Sequence, residues 1–129
     1  MKKTFLEPNE RQRARAYSPA VITEGGRVVW LAGQTALQEA DGRDISGNFE
    51  AQTRRVFAML DESLRRVGGA LADMVTMTVF LSDARHTTRM TELRTELFGS
   101  DFPASAAITV QGFAQPEMML EVQGIAVAE

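Results

Sequence analysis

Apolar residues recur along the chain in two rhythms. Phe49, Val56, Leu60, Leu64 and Val67 stand at helical spacing, while Glu50, Arg54, Asp61, Glu62 and Arg65 fill the opposite side. This predicts an amphipathic helix, stopped by Gly68-Gly69 as glycine commonly stops helices. Met90, Leu93 and Leu97 predict a second helix ending near Gly99, with Asp83 placed to cap its start. The other rhythm is that of strands. Arg27 to Ala32 reads as a buried strand ended by Gly33, and Met74 to Leu81 as a strand that is mostly buried. Pro103 opens an extended segment from Ala106 to Val110, and Leu120 to Val127 forms the last strand. Turns are marked by Tyr17-Ser18-Pro19, by Gly25-Gly26 after Val21-Ile22, and by Asp41-Gly42. Residues 1–16 are polar and charged.

The order is strands, helix, strand, helix, two strands. It predicts an α+β sandwich in which two helices cover one face of a mixed sheet, all within one domain spanning residues 1–129. The uncovered face is then the open question. In the last strand Leu120, Val122, Gly124 and Ala126 share a face suited to packing under helices. The other face carries Glu121, Gln123, Ile125 and Val127, half of them apolar. Glu121 reads either as a solvated glutamate or as a partly buried carboxylate with a raised pKa, able to act as general acid and base. Periodicity leaves both open.

Composition removes several function classes. The formal net charge is −3, which offers no basic field for nucleic acid or an anionic membrane surface. The absence of cysteine excludes disulfides, thiolate catalysis and thiolate metal sites, and one histidine, His86, disfavours a His-based metal site. The polar start is not a secretory signal, and no stretch approaches the ~20 apolar residues of a membrane helix. The expectation is a cytoplasmic protein without a metal.

Short motifs add what rhythm cannot. Tyr17-Ser18-Pro19-Ala20, Ala32-Gly33-Gln34, Val79-Phe80-Leu81-Ser82-Asp83, and Phe102-Pro103-Ala104 running on to Leu120-Glu121-Val122 occur in this order. Gln52-Thr53-Arg54 and Gly68-Gly69-Ala70-Leu71-Ala72-Asp73 accompany them. Together they resemble the RidA/YjgF family of imine and enamine deaminases over about residues 15 to 127. The resemblance implies a chorismate-mutase-like fold assembled as a homotrimer with clefts between subunits. It also implies cofactor-independent hydrolysis of enamines and imines derived from amino acids, releasing ammonia. By that resemblance Tyr17 lines the cleft, Gly33 allows close backbone approach, and Glu121 positions or activates water. Thr91, Ser105 and Ala107 shape the rest of the substrate site.

The sequence also departs from the pattern. The family has an arginine after Phe-Pro-Ala, the group expected to hold a substrate carboxylate, and here that position is Ser105. Thr91 replaces a frequent asparagine, and Ala107 a cysteine of some relatives. Arg89 and Arg94 stand about 200° and 300° around the helix from Thr91 and are expected to be solvated surface arginines. His86 is expected to be solvated or capping. Trp30 reads as core or trimer interface. Met74, Met77, Met118 and Met119 read as packing residues, with Met118-Met119 alternatively a cleft wall. Without the arginine the expected substrate is neutral or aromatic, hydrolysis of 2-aminoacrylate should be poor, and Ser105→Arg should improve it. The second reading is a non-catalytic small-molecule-binding or regulatory trimer that kept the cleft and lost the clamp. A nuclease role is disfavoured by the acidic balance and the lack of a metal or His pair.

Overall fold

A computed structural model describes all of residues 1–129. Its elements in chain order are β1 (Lys2–Phe5), α1 (Glu10–Ala14), β2 (Val21–Glu24), β3 (Arg27–Gln34), α2 (Phe49–Arg65), β4 (Met74–Leu81), α3 (Thr87–Phe98), β5 (Ala104–Thr109) and β6 (Leu120–Ala128). The main sheet runs β3-β6-β4-β5. β6 is antiparallel to both neighbours, while β5 joins β4 in parallel at the edge. This is the expected α+β layering with a mixed sheet. The segment before Tyr17, which carries no hydrophobic rhythm, nonetheless forms β1 and α1; β1 pairs antiparallel with β2 as a separate ribbon. Asn9 caps α1 by accepting from the backbone N–H of Gln12, and the Gln12 side chain accepts in return from the Asn9 N–H.

The core lies between the helices and one sheet face. Val56, Phe57, Leu60 and Leu64 of α2 and Met90 and Leu93 of α3 pack with Met77, Val79 and Leu81 of β4 and Leu120 and Val122 of β6. Val67 departs from expectation: α2 ends at Arg65, and Val67 is 41% exposed beyond its last turn. Fully buried Gln52 holds the loop that feeds β6. Its amide donates to the carbonyls of Ile45 and Glu117, and its oxygen accepts from the Met119 N–H. With donor and acceptor both satisfied, a buried amide is tolerable.

Much of the opposite face has no cover from its own chain, although Val127 at its end is buried. Trp30 is 77% exposed and Ile108 45%, with Val28 also exposed. Trp30 therefore is not core. With Ala32, Thr76, Thr78, Gln123 and Ile125 it borders a shallow concavity of about 520 Å³.

Candidate functional site: a cleft beside the edge strand

The chain reaches the edge strand by a sharp turn. After α1, Ala16 adopts φ 60, a left-handed conformation uncommon outside glycine, asparagine and aspartate, and is fully buried. Ser18 then donates its N–H to the Pro103 carbonyl and bridges to Ala104, docking the segment alongside β5. Tyr17 is thereby fixed next to Ser105. On the other side, Asp83 caps the turn that leads into α3, as expected, by accepting from the Arg85 N–H. The Arg85 guanidinium holds the Asp83 carboxyl down at about 2.

Between α3, β5 and the Tyr17 segment lies a cleft of about 240 Å³. Tyr17, Thr91, Ser105 and Ala107 all line it, so four of the residues selected from sequence converge on one place. Leu81 and Met90 form apolar wall, and Thr87 and Thr109 add hydroxyls. Met118 does not belong to it; that side chain borders a groove near Leu37 and Met59.

Gly33 and Glu121 lie elsewhere, as a pair. A Cβ on Gly33 would come within 2.5 Å of a Glu121 carboxylate oxygen, so the missing side chain makes room for that carboxylate. Register fixes which way Glu121 faces. Glu121 and Ile108 both stand opposite Phe80, whereas Ser105 and Gly124 stand opposite buried Met77. Paired residues share a face. Glu121 therefore looks out from the uncovered face, and Ser105 lies on the helix side. Within one chain the sheet itself separates them.

Arg94 is the residue that the helical rhythm misplaced. It is 4% exposed, donating from one terminal nitrogen to Ser105 Oγ at 2.8 Å and from the other to the Arg15 carbonyl at 2.9 Å. The expectation of a solvated surface arginine is overturned. A rotation of about 300° from Thr91 is also about 60° the other way, and Arg94 lies only about 40° from Met90. It thus shares the buried stripe with Met90, Leu93 and Leu97. Ser105 does lack a charge, but a guanidinium from α3 lies directly against its hydroxyl. Burial lowers the Arg94 pKa to about 10, with the nearby Tyr17 opposing that change, so the group is still cationic at neutral pH. Arg89 behaves as expected, lying outward against Glu50 and Glu92. His86 neither ligates nor caps through its side chain; it stacks on Phe49 with ring centroids 4.3 Å apart.

Comparison with known proteins fits this architecture. The family described as Endoribonuclease L-PSP matches residues 8–128. A RutC family protein of Pyrococcus horikoshii is 29% identical over the whole of both chains. One from Pyrococcus abyssi is 31% identical over 88% of this chain and 87% of its own. Among solved structures, a Yersinia pestis protein of unknown function from the conserved Rid family superposes with TM-score 0.86 at 27% identity, covering 98% of this chain and 99% of that one. A Mycobacterium tuberculosis member of the YjgF/YER057c/UK114 family gives 0.69 at 25%, covering 98% and 100%. The α+β sandwich is thus the chorismate-mutase-like RidA fold, and the chain belongs to the Rid (YjgF/YER057c/UK114, L-PSP) family.

Proposed function

We propose that this protein is a cofactor-independent deaminase that hydrolyses a reactive enamine or imine, working as a homotrimer with its sites between subunits. The observation that carries this reading is the convergence of Tyr17, Thr91, Ser105 and Ala107 on one cleft while Glu121 faces outward through the opposite side of the sheet. A carboxylate on the uncovered face reaches a cleft on the helix side only if the two belong to different copies. Packing of the Trp30 face against neighbours supplies such an arrangement, and it buries apolar surface that one chain leaves in water.

The chemistry needs little beyond position. In an iminium the carbon is already electrophilic. Glu121 accepts a proton from water as its oxygen bonds to that carbon, giving a carbinolamine. The same carboxyl then returns the proton to nitrogen. The C–N bond breaks and ammonia leaves as the hydroxyl gives its proton to the freed Glu121 carboxylate, so that the C–O bond becomes a carbonyl; ammonia takes that proton from the carboxyl and departs as ammonium. An enamine enters by protonation at carbon to give the same iminium. General acid–base catalysis of this kind contributes about 10²–10⁴-fold. Gly33 supports it by leaving space for the Glu121 carboxylate.

The test is Glu121→Gln, which keeps the shape of the side chain and removes its ability to exchange a proton near neutral pH. In a coupled amino-acid lyase assay that generates 2-aminoacrylate, wild-type protein should accelerate ketoacid release. The variant should lose about two orders of magnitude or more while retaining its hydrodynamic mass. Equal turnover by the two would eliminate Glu121 as the proton carrier.

A further inference from the structure

We infer that Arg94 is the anion-binding residue of the cleft, taking one carboxylate of a small organic dianion while Arg11 and Arg15 at the mouth favour its second negative group. This deepens the proposed function and rests on it for the identity of the reacting centre. The binding claim itself stands on the arginines.

A guanidinium removed from water needs both hydrogen-bond partners and a counter-charge. Arg94 has only neutral partners, the Ser105 hydroxyl and the Arg15 carbonyl. Its Nε is buried and makes no hydrogen bond at all. No carboxylate of its own chain pairs with it or lines the cleft, and the Glu121 that the proposed trimer brings from a neighbour is assigned to the water. Other arginines that pack against the chain have a carboxylate partner: Arg55 pairs with Glu62 and Arg89 with Glu50, while the more exposed Arg13 and Arg65 pair with Glu7 and Asp61. Arg94 is buried and left uncompensated, the condition that an anionic ligand would relieve.

Arg11 and Arg15 extend the same field. They stand one helical turn apart at the α1 end of the cleft, both exposed and neither paired with a carboxylate, whereas Arg13 between them turns away to Glu7. The cleft therefore has one desolvated cation inside and two solvated cations at its mouth. Its volume of about 240 Å³ is below the range typical of drug-sized sites, so the anion is small. A carboxylate fits the planar guanidinium, and a second acidic group a few bonds away would lie toward Arg11 and Arg15.

Isothermal titration of the assembled protein with succinate and with butyrate tests this. Neither probe carries a C=N bond, so binding is read apart from catalysis. Succinate should saturate the protein, and butyrate should bind at least about tenfold more weakly. Arg94→Gln should weaken succinate by about ten- to a hundredfold, in line with loss of charge-assisted bonds. Arg94→Lys keeps the charge without the fork and should fall between, which keeps the test readable if the glutamine variant does not fold. The Arg11→Gln/Arg15→Gln double variant should bring succinate close to butyrate. Equal succinate affinity in wild type and Arg94→Lys would overturn the assignment. So would wild-type protein that binds no succinate while Arg94 variants lose their assembly, because a neighbouring subunit would then supply the missing anion. Tight succinate binding without imine hydrolysis would leave the anion site standing and remove the deaminase reading. Hydrolysis indifferent to succinate and to Arg94 would do the reverse.

Discussion

The two faces of the main sheet solve different problems. On the helix side, Met77, Val79, Leu81, Leu120 and Val122 meet α2 and α3, and the apolar surface is closed off within the chain. On the other side, Val28, Trp30 and Ile108 stand in solvent among Thr76, Thr78 and Gln123. Yet β4 and β6 also place Phe80, Ile125 and Val127 on this outer side, among Thr76, Thr78, Glu121 and Gln123. A strand meant to be wet on one face alternates cleanly between apolar and polar, and these do not. The helix side therefore accounts for the fold of one chain, while the outer side carries the apolar surface that the proposed trimer would bury. The candidate site straddles the two: its arginine cleft belongs to the first face and its carboxylate to the second.

Charging the open face should have the largest effect. Trp30→Glu places a carboxylate where the proposed trimer buries an indole, and a desolvated unpaired charge is costly enough to prevent association. Trp30 touches little of its own chain, so circular dichroism and the cooperativity of unfolding should survive. Sedimentation should report single chains, and imine hydrolysis should vanish with the shared site. Persistence of a trimer in this variant would place the interface elsewhere.

The closed face predicts the complementary result. Leu60 is fully buried against the sheet from α2. Leu60→Ala removes packing and leaves a cavity, costing about 2–5 kcal/mol. The melting temperature should fall by roughly 10 °C for a domain of this size. The oligomer should remain intact below that temperature, because no outer-face group has changed. A variant that dissociates before it unfolds would mean that the two faces are not energetically separate.

Legibility from sequence divides in the same way. The strand Met74–Leu81 and the start of the first long helix at Phe49 are as read from the pattern, because burial against a sheet imposes a strong rhythm. β1 and α1 are invisible to it, since their order comes from pairing with β2 and from the Asn9 cap, with no apolar stripe to reveal them. β5 begins at Ala104, earlier than the extended segment read from Ala106, because the Ser18 bridge and the ladder with Thr76 extend it. For the site, short motifs select Tyr17, Thr91, Ser105 and Ala107, and these do meet. Arg94 escapes because arginine is normally solvated and its angle from Thr91 alone misleads. Measured from Met90, its position on the buried stripe is available in the sequence. No rhythm can reveal that Glu121 and Ser105 face opposite ways, since that depends on the pairing of β6 and β5 with β4.

The smallest expected effect comes from Ser105→Arg, and it reverses the sequence-based expectation. From the sequence alone this change restores a lost clamp and should raise turnover of 2-aminoacrylate. In the structure the space beside residue 105 already holds the Arg94 guanidinium, at 2.8 Å from the serine oxygen. A second arginine removes the hydroxyl that accepts from Arg94, brings two cations together, and adds bulk to a cleft of about 240 Å³. Small-to-large changes in packed sites cost about 1–3 kcal/mol, and like charges add to that. Turnover should therefore stay level or drop severalfold, with a lower urea midpoint at unchanged slope. Pairing the change with Arg94→Ser separates crowding from the loss of the clamp. The exchanged pair keeps one guanidinium in the cleft and relieves both the crowding and the repulsion, so stability should recover toward wild type. A gain of tenfold or more from Ser105→Arg alone would show that Arg94 does not serve as the clamp and that the β5 position was vacant.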